Sequence, residues 1–207
     1  TLSGIQNFIQ GLKPLIREVP TAYDDRFWKK EGERNQKGII TVANISDQRT
    51  FRRKGIPLFL KLAEEMPDYQ FTICGIQNPI SYKHILPKNI TLYGKLDRDA
   101  LKIQYGYHQF YFQASHIEGL PNVLCEAMLC ECIPLGNNVF GIPDVIGNTG
   151  HIFNASESLK TVISFIRSLG NPQQLGEKAR QRIATNYPIS KREMAFKEVL
   201  SPNAHEK

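Results

Sequence analysis

Two carboxylates eight positions apart, Glu118 and Glu126, frame a stretch from Ser115 to Met128 that reads Ser-His-Ile-Glu-Gly-Leu-Pro-Asn-Val-Leu-Cys-Glu-Ala-Met. Gly119 permits a tight turn or a close backbone approach, and Pro121 suits the first position of a helix. Glu118 is therefore expected in a loop, with Glu126 roughly one and a half turns into the helix that follows. Eight residues span about 12 Å along a helix axis. The carboxylates of a retaining glycosidase stand about 5–5.5 Å apart, so this spacing does not suit that chemistry. It suits two carboxylates gripping opposite ends of one long ligand. The helix N-terminus between them, with its free N–H groups and positive dipole end, favours a phosphate. Glu126 can accept hydrogen bonds from the two hydroxyls of a ribose, and Glu118 from the hydroxyls of a sugar. Lys54, with Arg49, Arg52 or Arg53, is expected at the same edge to neutralise a diphosphate. Gly136 and Gly141 let neighbouring backbone come close.

Each of these residues has a bland reading when taken alone. A helical glutamate is commonly a solvated face, and the run Arg52-Arg53-Lys54 resembles ordinary surface charge. His116 reads as a loop residue and Asp144 as a surface or cap residue. Joint placement is what gives the set its meaning, and that placement depends on the elements around it.

From Gly38 onward, short apolar strands alternate with amphipathic helices. Ile39–Ile45, Tyr69–Gly75, Ile90–Gly94, Phe110–Ala114, Ile133–Gly136 and Gly150–Phe153 read as strands. Helices are expected over Lys54–Met66, Asp97–Tyr107, 121–131, Glu157–Leu169 and Pro172–Asn186, with a continuation from Ile189. Ser46–Arg53 reads as a polar loop and Gly141–Ile146 as part of a glycine-bearing connection. This alternation predicts an α/β fold, a Rossmann-like parallel sheet with helices on both faces. Ligands of such sheets lie beyond the carboxyl ends of the strands, where the loops carrying Lys54 and Glu118 open. Residues 1–36 read as a leading segment, with a weak helical pattern over Ile5–Ile16 and a polar, turn-rich stretch from Pro20 to Asn35. Residues 37–187 form the main domain and 188–207 a terminal helix and tail.

With 207 residues and 41% hydrophobic content the chain has enough for a real core. The net charge of +6 suits an anionic small ligand or an acidic membrane surface. Basic residues are scattered and no recognition-helix or RNA-binding signature occurs, so nucleic acid is not expected as a partner. No apolar run is long enough to span a membrane, and no secretory signal is recognised. The sequons at Asn44, Asn89 and Asn154 carry no weight without one. The chain opens on Thr1 rather than Met, which points to a fragment. Cys74, Cys125, Cys130 and Cys132 lack zinc spacing and read as small buried hydrophobes in a reducing cytoplasm. No metal is expected.

The stretch from Ser115 to Met128, with the downstream run Cys-Ile-Pro-Leu-Gly-Asn-Asn-Val-Phe-Gly-Ile-Pro-Asp-Val-Ile, resembles the C-terminal domain of group 1, GT-B fold retaining glycosyltransferases. Their mark is a pair of glutamates separated by seven residues, then a small-residue helix and a Gly-Ile-Pro-Glu-Val-like loop. The likeness covers roughly residues 38–187. Residues 19–30 resemble that family's interdomain segment. The resemblance implies a nucleoside diphosphate sugar as co-substrate, with no further cofactor. Glu118 would contact the transferred sugar and Glu126 the ribose. Gly119, Leu120 and Asn122 would lie beside the sugar and phosphates, and Lys54 would pair with the diphosphate. The base would sit near Gly94, Lys95 and Leu96. The family usually carries an arginine just after the first strand, where this chain has Asn44. One of Arg49, Arg52 or Arg53 is the expected substitute.

By the same resemblance the chain is the donor half of an enzyme moving a hexose-type sugar to a glycan or lipid-linked acceptor held by a missing N-terminal domain. The isolated chain would then turn over nothing. No catalytic residue is assigned, and His108 and His116 are not promoted to that role. Polysaccharide biosynthesis on the cytoplasmic face, with peripheral membrane contact, is the expected setting. Two other readings compete: a nucleotide-sugar epimerase or phosphorylase of the same architecture, and a non-catalytic domain docking on a partner or acidic membrane.

Overall fold

A computed structural model describes residues 19–77, 86–155 and 159–200. In chain order the elements are β1 (Asn35–Ile45), α1 (Gln48–Arg53), α2 (Ile56–Glu65), β2 (Gln70–Ile76), β3 (Ile90–Tyr93), α3 (Arg98–Tyr107) and β4 (His108–Gln113). Then come α4 (Asn122–Leu129), β5 (Ile133–Asn137), α5 (Ile142–Ile146), β6 (His151–Phe153), α6 (Lys160–Ser168), α7 (Pro172–Asn186) and α8 (Ile189–Leu200). The Ile5–Ile16 pattern and the start of the expected 157–169 helix lie outside the described residues.

All six strands pair in parallel, in the order β3-β2-β1-β4-β5-β6. The chain builds outward from β1 in one direction, then returns to build outward from β4 in the other. The reversal leaves a crevice beyond the carboxyl ends of β1 and β4. The expected Rossmann-like α/β fold is what the chain forms.

The period-2 alternation of strands divides the interior into two cores. Ile39, Phe71, Phe110, Phe112 and Leu135 face one side, against Phe59 and Leu62 of α2 and Val162 and Ile166 of α6. Ile40 and Tyr111 face the other, against Tyr105 of α3, Leu124 and Met128 of α4, Ile142 of α5 and Ile183 of α7. Every residue of β4 is buried, as a central strand covered on both faces requires.

Several boundaries differ from the sequence reading, for local reasons. β1 begins at Asn35 rather than Ile39, because its polar start pairs with His108 of β4. The expected polar loop 46–53 holds a helix: the Asp47 side chain accepts the Thr50 N–H at 2.7 Å and caps α1. Lys54 closes α1 instead of opening the next helix. Gly55 breaks the two apart at φ 71°, and a Cβ there would lie 2.2 Å from the Ala114 carbonyl oxygen. Pro121 is the N-cap of α4 rather than its first residue. Ile142–Ile146 forms a short helix rather than an open connection. The linker-like stretch before β1 packs on the domain. Tyr23 and Trp28 are buried in the second core, and the Tyr23 N–H donates to the Tyr187 carbonyl at 3.0 Å.

Candidate functional site

The α1–α2 junction and the loop after β4 meet across the crevice. There the Lys54 ammonium forms an ion pair with Oε1 of Glu118, and both side chains are largely shielded from solvent. The backbone fixes their approach, since His116 N–H donates to the Arg53 carbonyl at 2.9 Å. A buried relay supports Glu118 from beneath. The Ser115 hydroxyl lies 3.3 Å from Glu118 Oε1 and accepts from the Gln113 amide at 2.8 Å. Tyr111 donates to Gln113 Oε1 at 3.0 Å. Asn137 ties the neighbouring strand in, donating to the Ser115 carbonyl at 3.1 Å and accepting the Ala155 N–H at 2.9 Å. Polar residues thus occupy core positions because each satisfies the next.

Helix α4 begins just past this pair. Its N-terminus has no side-chain cap and no acidic residue in its first turn, which leaves its positive end available to an anion. Gly119 is exposed beside it, and Leu120 is half-buried against the second core. Gly141, on the loop after β5, approaches Gly119 so closely that a Cβ would lie 2.7 Å from the Gly119 carbonyl oxygen. Asn122 is fixed by Tyr23, whose hydroxyl donates to its Oδ1 at 2.8 Å. Burial pushes the Tyr23 hydroxyl far above the usual phenol range, so it remains a neutral donor.

Glu126 sits one turn into α4 and is half-buried. Burial raises its pKa, while the Arg98 charge and the Tyr105 hydroxyl pull the other way. The Tyr105 hydroxyl is buried and makes no hydrogen bond of good geometry, though it lies close enough to favour the Glu126 anion. Arg98 itself is held over the rings of Phe27 and Trp28, 4.4 and 5.4 Å from their centroids. It opens α3 directly after the Gly94–Leu96 loop. In that loop the Gly94 carbonyl accepts the Gly75 N–H at 3.0 Å, Lys95 is exposed and Leu96 packs on the second core.

The fold therefore brings Lys54 and Glu118 into contact and sets the start of α4 beside them. Arg49, Arg52 and Arg53 are all exposed on α1, and none forms a salt bridge among the described residues. Arg52 lines a cavity of about 440 Å³ with Gly55, Lys61 and His116, next to Lys54. Asn44 is exposed near the end of β1. Sequence reasoning missed Tyr23, Arg98, Tyr105 and the Gln113–Ser115 relay. The first lies in a stretch that reads as linker, and the others gain meaning only when distant segments pack. The four cysteines are buried, and burial drives the thiols of Cys74, Cys125 and Cys132 up to about 12. No cluster of three or more His, Cys, Asp or Glu side chains suited to a metal occurs among the described residues.

The family model for glycosyl transferases group 1 matches residues 24–182, and the chain belongs to that family. Its fold is one half of a GT-B glycosyltransferase. Sucrose-phosphate synthase from Thermosynechococcus elongatus superposes with a TM-score of 0.74 at 17% identity, over 87% of this chain and 51% of that one. HepE from Anabaena, solved in complex with UDP, gives 0.70 at 15% identity, over 87% of this chain and 56% of that one. The C-terminal domain of LpcC, a glycosyl transferase group 1 family protein from Francisella tularensis, gives 0.63 at 16% identity, over 81% of this chain and 100% of that domain. No curated protein sequence matches. The chain spans about half the length of the first of these structures.

Proposed function

We propose that this chain is the donor-binding domain of a retaining glycosyltransferase, which moves a hexose-type sugar from a nucleoside diphosphate sugar to a glycan or lipid-linked acceptor. The observation that carries the reading is the meeting of Lys54 and Glu118 beside the uncapped start of α4, at the sheet's switch point. In this reading the diphosphate lies on the α4 N-terminus and draws Lys54 toward it, with Arg52 or a neighbour on α1 as second cation. Glu118, released from Lys54, accepts from sugar hydroxyls, and Glu126 accepts from the ribose. The base lies along Gly94, Lys95 and Leu96. Catalysis comes from positioning and from stabilising the departing diphosphate. No metal or other cofactor takes part. The acceptor and the remaining chemistry belong to a further domain joined through residues 1–36, and α8 follows the donor-binding domain. The net charge of +6 supports peripheral contact with an anionic membrane on its cytoplasmic face, as in polysaccharide assembly.

Calorimetric titration tests the two ends separately. The chain binds nucleoside diphosphate sugars but turns none over. Glu126→Ala weakens free nucleoside diphosphate by about tenfold, the worth of one or two hydrogen bonds to a charged group. Glu118→Gln weakens the sugar-bearing ligand and spares the free nucleotide. Unchanged affinity in both variants would show that the carboxylates do not hold the donor. Binding of the nucleotide also falls as pH drops through the raised pKa of Glu126, because a protonated carboxyl loses acceptor capacity. Glu126→Gln removes that component of the pH profile.

A further inference from the structure

At the opposite edge of the sheet, where β1, β4 and β5 begin, lies a second cavity of about 310 Å³. Its lining includes Lys30, Arg34, Gln109, Glu131, Asn171 and Gln173. We infer that it is an oxyanion site, taking inorganic phosphate or a small phosphate monoester. Gln109 is 4% exposed, and its side-chain amide nitrogen has no hydrogen-bond partner. The buried Nε of Arg34 has none either. A buried donor left unmet costs about 1–3 kcal/mol, and both belong to side chains that line this cavity, which favours a guest that supplies acceptors.

The remaining groups narrow the guest. Arg34 is immobilised by its other nitrogens, which donate to the Glu131 carbonyl at 2.5 Å and the Cys130 carbonyl at 2.6 Å. Its Nε is thereby held in place. Lys30 makes only a loose pair with the Glu131 carboxylate, 3.9 Å apart. Two cations against one carboxylate leave the cavity net positive. The fifteen-residue helix α7 starts here as well. Asn171 accepts the Gln174 N–H at 3.0 Å, and Pro172 has no N–H, so Gln173 supplies the remaining first-turn donor. Unmet donors, net positive charge and a helix N-terminus together select a guest that only accepts hydrogen bonds and carries negative charge. The volume sits at the lower end of ligand pockets, which suits a phosphate with at most a small organic tail.

This site is separate from the crevice that holds Lys54 and Glu118. Gln109 lies near the start of β4 and Ser115 just past its end, roughly 20 Å apart along an extended chain. The inference does not rest on the proposed glycosyltransferase reading.

Thermal melts at constant ionic strength, with sodium phosphate, sulfate or glycerol phosphate replacing chloride, test it. Phosphate raises the melting temperature of the 207-residue chain, and Lys54→Met retains the rise. Gln109→Leu abolishes it yet still binds a nucleoside diphosphate, which separates the two sites. Stronger stabilisation by glycerol phosphate than by inorganic phosphate identifies the monoester as the preferred form. Lys30→Gln, a solvent-edge change that leaves the fold intact, weakens phosphate by about tenfold. The inference fails if none of the three anions stabilises the wild-type chain, since the cavity then holds water only. It fails equally if Gln109→Leu or Lys30→Gln responds as the wild type does.

Discussion

His108 shows how burial at one residue becomes a property of the whole chain. Its Nδ1–H donates to the Gln104 carbonyl at 2.7 Å, and its Nε2 lies 2.8 Å from the Thr72 hydroxyl. Burial and the nearby Arg34 charge lower its pKa from 6.5 to about 4, against the opposing pull of the Gln104 carbonyl. The folded state thus keeps it neutral where the unfolded chain takes up a proton. Stability is undiminished above the unfolded value and is lost as pH falls from about 6.5 toward 4, by about 3 kcal/mol in all. His151 shifts in the same direction. Glu126, raised by burial, works the opposite way at the acid end. Urea midpoints from pH 7.5 to 5 should therefore fall steeply in the wild type and less steeply in His108→Asn. Parallel profiles would remove His108 as the cause. Residue types and spacing singled out Lys54, Glu118 and Glu126, and the fold brings the first two into contact. Nothing in the sequence marked Tyr23 as the partner of Asn122, or Arg98 as the charge beside Glu126, because such pairings belong to tertiary contact.

Elements carry those residues, and one short break decides the position of Lys54. The sequence suggests one helix from Lys54 to Met66, but Gly55 takes a left-handed conformation against the Ala114 carbonyl. Gly55→Ala combines a strained φ with a backbone clash and should destabilise the chain by at least about 2 kcal/mol. It should also displace Lys54 from Glu118, so nucleoside diphosphate affinity falls even at temperatures where the variant stays folded. Equal affinity in the folded variant would show that the junction does not position Lys54. Asp47→Ala removes the cap of α1 at a cost of about 1 kcal/mol, read from chemical denaturation. That cap was visible in principle, because Asp is among the preferred residues at a helix N-cap. It was hidden because α1 has no buried residue and hence no apolar period to reveal a helix. The strands were legible for the opposite reason, since fully covered parallel strands are continuous apolar runs. Asn89 adds a tie that no pattern shows, its side-chain amide lying 3.0–3.1 Å from the carbonyls of Ala63, Met66 and Tyr69.

At the scale of the molecule, both faces of the sheet are covered, whereas α8 contributes no buried residue and leaves Met194 and Leu200 more than half exposed. Met194→Lys should leave the urea midpoint within about 0.5 kcal/mol of wild type and reduce self-association in light scattering. A large loss of stability would mean that α8 supports the core. No helix of the described residues is long and apolar enough to cross a membrane. The sequence by itself determined the α/β alternation, the glutamate pair and its loop, and the family to which they belong. Local spacing and apolar period carry that information, and neither needs long-range contact. Only the tertiary structure decided that Lys54 meets Glu118, that Glu126 answers to Arg98 and Tyr105, and that Gln109 and Arg34 share a cavity at the far edge. Those partners are separated by tens of residues, and parallel pairing around the β1–β4 switch point is what brings them together.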